Sequence, residues 1–315
     1  MSTQHRRPSA IRLAILVAVV VVVVGGALTL AINQGGGGSG GGPAGAGLVA
    51  TPAVAPEPLR LSPQGRHPQF VVECDPSHVA NDDPILSPGA PGLSHLHEFF
   101  GATTTNAMST PDDLVDGDTT CENRHDTAAY WVPALYDGDT RVAPDELIAY
   151  YRIGRGIDPA EVRTWPFGLV MLAGDPGAEG PQPTGIAAWT CGASDHLTPE
   201  PRQCSSRAPL AMRLTFPDCW DGDNLDSVDH RRHVTYSIDG ACPDTHPVPI
   251  VQLILAVRYS FFDDPANLRL ASGATTTVHG DVMNAWSDDE LRNLTELCLA
   301  RGEICGISSN RTDLS

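Results

Sequence analysis

Three short segments of this 315-residue chain concentrate side chains able to do chemistry. The first is Ser94-His95-Leu96-His97-Glu98-Phe99-Phe100-Gly101. On a strand, His95 and His97 point to one face, because side chains alternate with period 2. Two imidazoles side by side can bind a metal, or one can act as a base while the other holds substrate. The competing reading is a pair of surface histidines beside a buried Leu96 and Phe99. The zincin pattern H-E-x-x-H begins at His97-Glu98 and fails at Gly101.

The second segment runs from Phe216 to His233. Asp221, Asp223, Asp226 and Asp229 offer hard oxygen ligands there, and His230 and His233 lie one turn apart if the chain coils. An EF-hand is excluded by the missing glycine and glutamate, although Ca²⁺ remains a candidate ion. The alternative is a solvated acidic loop pinned by a disulfide at Cys219. Asp229 beside His230 is read as a carboxylate that orients an imidazole. The third segment is Val278-His279-Gly280-Asp281, in which His279 and Asp281 share a strand face, with Trp286 following. Trp131, Trp220, Tyr236 and Trp286 adjoin these segments and are candidates for stacking on sugar rings, with Arg231 and Arg232 to bind or stabilise an anion; core packing is the alternative for each aromatic.

The elements that must position these residues are short. Between Gln69 and Arg269 apolar residues come in brief runs bounded by Gly, Pro, Asp and Asn, the pattern of strands and loops. Strands are expected over 70–73, 95–100, 129–136, 147–152, 169–173, 187–190, 211–216, 233–238, 250–259 and 275–279, with an Asp-Gly turn at Asp137-Gly138. One helix is expected after Ser287, which with Glu290 forms a capping-box pattern, and Leu291, Leu294, Leu297 and Cys298 fall on one face before Gly302. The fold class that follows is mainly β: an antiparallel β-sandwich with long disulfide-stapled loops and one C-terminal helix, a single domain over residues 67–307 with a tail at 308–315.

Composition narrows the function. The 20 basic residues are all Arg against 38 acids, a formal charge of −18. Schiff-base, phosphate-loop and Ser-Lys chemistry are excluded for want of Lys, and nucleic acid is an unfavourable partner. The glycine run at 35–47 satisfies G-x-G-x-x-G by composition alone, with no strand before it, so no nucleotide cofactor is expected. Ahead of the domain, 1–9 carry Arg6 and Arg7, 10–32 are apolar apart from Arg12, and 33–66 are rich in Gly and then Pro. A run of this length can cross a hydrocarbon core of about 30 Å. It is read as a single-pass anchor that leaves 1–9 in the cytoplasm, with 33–66 as a spacer; the alternative is a cleaved signal peptide and secretion. The eight cysteines, Cys74, Cys121, Cys191, Cys204, Cys219, Cys242, Cys298 and Cys305, all follow the spacer. They lack zinc-ribbon spacing and read as disulfides of an exported domain; nearest-neighbour pairing is expected, although 105 pairings are possible.

Six blocks in order carry a resemblance. These are Asp83-Pro84-Ile85-Leu86-Ser87-Pro88-Gly89 through Gly101, Thr119-Thr120-Cys121, Ala129 through Tyr136, Phe216 through Gly222, Asp229 through His233, and His279-Gly280-Asp281. Together they resemble the extracellular family called domain of unknown function 1996, found in secreted bacterial and fungal proteins, sometimes beside carbohydrate-binding modules. The resemblance spans nearly all of residues 70–300 and implies no particular reaction. Two departures are Val234-Thr235-Tyr236-Ser237 where the family more often has Met-Ala-Tyr-Pro, and Asp281-Val282 where it has Asp-Phe.

The leading expectation is an enzyme, a hydrolase or lyase on cell-wall or environmental polysaccharide. His95, His97, His230, His233 and His279 would converge, with Asp229 and Asp281 as orienting groups or bases. In its metal form His95, His97 and His279 bind one divalent ion, Zn²⁺ or Ca²⁺. The alternatives are a non-catalytic glycan-binding or cell-surface module, and a structural domain whose histidines close hydrogen-bond networks.

Overall fold

The computed structural model describes residues 68–301 and 304–307. The segments at 1–9, 10–32, 33–66 and 308–315, including the expected anchor and spacer, lie outside them. Among the described residues no helix is long and apolar enough to cross a membrane.

Two sheets form the body. The larger contains Gln69–Cys74 (β1), Glu146–Arg152 (β5), Ala187–Cys191 (β7), Leu210–Thr215 (β8), Gln252–Tyr259 (β9) and Ile304–Ile307 (β11), in the order β11-β1-β5-β9-β8-β7. The smaller contains Pro76–Ala80 (β2), His97–Gly101 (β3), Ala129–Pro133 (β4), Val170–Gly174 (β6) and His279–Met283 (β10), in the order β2-β3-β4-β10-β6. Pairing is antiparallel in both, except that β11 runs parallel to β1. The sheets enclose one core: Phe70, Val72, Leu147, Leu253 and Leu255 from the larger face Phe100, Tyr130, Val132, Met171 and Val282 from the smaller. This is the expected sandwich.

A polar chain crosses that core. The Tyr130 and Tyr151 hydroxyls, one from each sheet, lie 2.5 Å apart. Trp286 Nε1 donates to the Tyr151 oxygen at 3.0 Å, and the Tyr130 hydroxyl donates to the Asp126 carboxylate at 2.9 Å. Asp126 is fully buried, and burial raises its carboxyl well above the usual range despite the donors from Tyr130 and Ala128.

Every residue of β3, β4, β6 and β10 is buried, so the smaller sheet is covered on both faces. Alternation sends Phe100, Tyr130 and Val282 into the sandwich, while Phe99, Trp131, Leu172 and Met283 join Ile85 and Leu114 in a second cluster under loops on the outer face. His97 and Phe99, two apart on β3, share that face, as do His279, Asp281 and Met283 on β10.

Several local expectations need correction. The strand expected over 95–100 begins at His97, and the one expected over 275–279 lies instead at His279–Met283. The β-branched run Thr275-Thr276-Thr277 imitates a strand, but Thr277 turns back through its amide and hydroxyl to the Ala274 carbonyl. Of residues 233–238 only Val234–Thr235 form a strand, while Ile238 makes an isolated bridge to Ala241. The helix begins after Ser287 at Asp288–Leu294 (α1), but Ser287 makes no side-chain cap; three acids in the first turn meet the positive end of the dipole, and Thr295–Ala300 continue as a wider π turn. The disulfides follow nearest-neighbour pairing: Cys74–Cys121, Cys191–Cys204, Cys219–Cys242 and Cys298–Cys305.

Candidate functional site

Three imidazoles meet on the outer face of the smaller sheet. His97 opens β3 opposite Pro133 of β4, and His279 opens β10 opposite Gly174 of β6. His95 stands just before β3, where the Ala134 amide extends the ladder to the Leu96 carbonyl. The ring centroids of His95 and His97 are 4.2 Å apart, and those of His95 and His279 are 5.0 Å apart. One ligand nitrogen from each of the three lies within 4.8 Å of the others.

Backbone carbonyls fix two of the tautomers. His97 Nδ1 is 2.9 Å from the Asp82 carbonyl oxygen, and His279 Nδ1 is 2.8 Å from that of Thr277. A carbonyl only accepts, so each Nδ1 carries the proton and each Nε2 is left with its lone pair. His279 Nε2 receives a hydrogen bond from His95 Nε2 at 3.2 Å, whereas His97 Nε2 is buried with no partner among the described residues. Burial lowers the basicity of all three: His279 falls to about 4, His97 lies well below the usual imidazole range, and half-buried His95 is also lowered. All three are therefore neutral imidazoles at neutral pH.

Two carboxyls lie beyond His97. Asp281 is fully buried, and neither of its oxygens has a hydrogen-bond partner among the described residues. Burial, with Asp83 nearby, raises its carboxyl well above the usual range, and Arg231 opposes this. Asp83 Oδ1 accepts from the amides of Ile85 and Leu86 at 3.0 and 2.8 Å. One ligand atom from each of Asp83, His97 and Asp281 lies within 4.8 Å of the others. Asp82 organises this loop by accepting from the amides of Gly92 and Ala107. No spacing rule singles out Asp83. Its contact with β10 depends on how the loop from 81 to 96 folds, and its trace in the sequence is its place at the head of the first block of the family resemblance.

The second segment borders this site without adding its histidines to the other three: Arg231 acts electrostatically on His279 and Asp281, and His230 on Asp83. His233 is buried with both ring nitrogens engaged, Nδ1 by the Ser227 hydroxyl at 3.1 Å and Nε2 by the Val170 carbonyl at 2.7 Å, so it is not brought to the other three histidines. His230, at φ +55°, is held by Asp226 at 2.9 Å and not by Asp229. Asp229 accepts from the Ser227 hydroxyl and the amides of Arg231 and Arg232, which lowers its carboxyl. It closes a turn rather than orienting an imidazole. Arg232 is exposed and pairs with Asp229 at 3.2 Å. Arg231 reaches toward the three histidines, its Nη2 donating at 2.7 Å to the carbonyl of Gly174, the residue opposite His279.

The aromatic platform is not assembled. Trp131 and Trp286 are fully buried, so neither presents a ring face to a sugar. Trp220 is half-buried and donates to the Asn224 carbonyl at 2.6 Å. Tyr236 lines a cavity of about 280 Å³ with Arg231, Gln182, Asp175 and Gly174.

The family described as Domain of unknown function (DUF1996) matches residues 83–286, a span that starts at Asp83 and contains all three histidines and Asp281. No curated protein and no solved structure matches the chain.

Proposed function

The chain belongs to the family described as Domain of unknown function (DUF1996), and from that premise we propose that it is an exported metal-dependent hydrolase with its ion at His95, His97 and His279. The observation that carries this reading is the convergence of three imidazole nitrogens, two of them with tautomers set by the carbonyls of Asp82 and Thr277. Such second partners are typical of metal-binding histidines. Nitrogen ligands favour Zn²⁺ over Ca²⁺, which takes six to eight oxygens. Two ligands of a tetrahedral Zn²⁺ stand about 3.3–3.4 Å apart, given bonds of about 2.0–2.1 Å, and His95 and His279 are 3.2 Å apart.

Bound there, the ion would lower the pKa of a coordinated water to near 7 and so supply a hydroxide. The protein residues would orient and exclude. His97 and His279 are rigid ligands, half-buried His95 marks the side open to water and substrate, and Arg231 biases the local field toward an anion. The cavity beside Arg231 sets Gln182, Asp175 and Tyr236 among the apolar Leu172, Ile186 and Val234, a mixed lining that suits the hydroxyls and ring faces of a polysaccharide outside the cell. Four disulfides suit an oxidising compartment. In this proposal residues 10–32 anchor the chain and 33–66 hold the domain off the membrane.

The test is elemental analysis of the purified protein after Zn²⁺ loading, together with a hydrolysis screen on a polysaccharide panel. Stoichiometric zinc and hydrolysis, both lost in His95→Ala plus His97→Ala, are expected. Glycan binding that persists without metal in that double variant would overturn the enzyme reading in favour of a binding module.

A further inference from the structure

We infer that this site seats two divalent cations, the second held by Asp83, His97 and Asp281 behind the first. The inference rests on the metal reading above and revises its ligand set: His97 passes from the first ion to the second, which also takes two carboxylates that sequence spacing does not join.

The argument begins with unmet bonding capacity. His97 Nε2 and both Asp281 oxygens are buried and have no hydrogen-bond partner. His97 and Asp281 are 0% exposed and Asp83 is 1% exposed, so solvent does not satisfy them. Buried polar atoms are nearly always paired, and three orphans on two residues of one close group need an explanation. A proton shared between the two carboxyls would join them by a hydrogen bond, yet Asp281 makes none, and such a proton would still leave His97 Nε2 unmet. A cation would meet this need, since one ligand atom from each of Asp83, His97 and Asp281 lies within 4.8 Å of the others.

The division of ligands follows from His97. Its Nδ1 is committed to the Asp82 carbonyl, so it has one lone pair and serves one ion at a time. His95 and His279, already 3.2 Å apart, suffice as the protein ligands of an outer ion beside the half-exposed edge. His97, Asp83 and Asp281 then enclose an inner ion with one nitrogen and up to three free carboxylate oxygens, because Asp83 Oδ1 is taken by the amides of Ile85 and Leu86. That mixed donor set accepts Zn²⁺ or Mn²⁺. Two-ion hydrolytic centres hold their metals about 3.5–4 Å apart and clamp both the attacking and leaving oxygens.

Native mass spectrometry of the full chain, stripped with chelator and titrated with Zn²⁺, tests the inference. The wild type is expected to bind two ions, and Asp281→Asn and Asp83→Asn one each. His95→Ala should weaken the outer ion alone and leave one retained. Asp83→Asn lies on a loop and serves if Asp281→Asn fails to fold. One ion in the wild type would overturn the second seat and leave the single-ion reading standing; none would overturn both. Two ions retained in the folded Asp→Asn variants would place the second ion elsewhere and overturn the assignment.

Discussion

His95→Ala separates metal binding from folding. His95 is the most exposed of the three histidines, and its one hydrogen bond goes to His279. Truncation should therefore cost about 1 kcal/mol of metal-free stability. Metal binding stabilises the wild type by linkage, which amounts to about 2.7 kcal/mol at free Zn²⁺ one hundred times Kd. For a domain the size of residues 68–307, each kcal/mol moves Tm by about 2–4 °C, so Zn²⁺ should raise Tm by about 5–11 °C. Losing a ligand should weaken binding at least as much as losing an outer partner does, and at 100-fold the linkage at the same free Zn²⁺ falls to about 0.4 kcal/mol. The outer ion's part of the shift should then fall to about 1–2 °C in the variant, the inner ion adding the same amount to both proteins. Differential scanning calorimetry with buffered free Zn²⁺ reads both numbers. An equal shift in wild type and variant would refute the reasoning, because the stabilising ion would then sit elsewhere.

Three further outcomes are expected. A Cβ at Gly280 would lie 2.5 Å from Leu214 Cδ1 and 3.1 Å from Val132 Cγ1; Gly280→Ala should cost about 1–3 kcal/mol in urea unfolding and weaken Zn²⁺ binding by displacing the strand between His279 and Asp281. Asp126 has its folded carboxyl raised above the unfolded value near 3.8, so the fold binds a proton that the unfolded chain releases. That stabilisation is full below the unfolded value and lost as pH rises through the folded one, and Asp126→Asn should flatten this part of a stability-against-pH curve; an unchanged slope would assign it to other groups. Cys219 and Cys242 are 23 residues apart, and Cys219→Ala plus Cys242→Ala should cost about 3.5 kcal/mol on loop-closure entropy, measured by guanidinium unfolding.

What could be read from the chain alone was what depends on local period. His95-x-His97 and His279-x-Asp281 announce two same-face pairs, and the apolar runs of β1, β5, β8 and β9 announce buried strands. What could not be read depends on partners far away in the chain. The strand at Pro76–Ala80 is polar and starts with proline, and β11 is a strand because β1, more than 200 residues earlier, offers it an edge. Asp83 reaches β10 only through the loop whose carbonyl also orients His97. His230 and His233 look like site residues by composition, but Asp226, Ser227 and the Val170 carbonyl claim their nitrogens first. Trp131 adjoins Tyr130 and Trp286 follows the His279 segment, and in both burial of a large ring outweighs its capacity to stack on a ligand.

The parallel pairing of β1 with β11 governs how the domain answers a pull. Gln69 lies opposite Ile304, and Val71 opposite Ile307, so the chain enters at one end of this strand pair and leaves at the other. Tension applied between the two ends of the domain runs along the strands and loads their hydrogen bonds together, in shear. An antiparallel pair with adjacent ends would instead open like a zipper, one bond at a time. The edge that closes the larger sheet is therefore also its mechanical clamp.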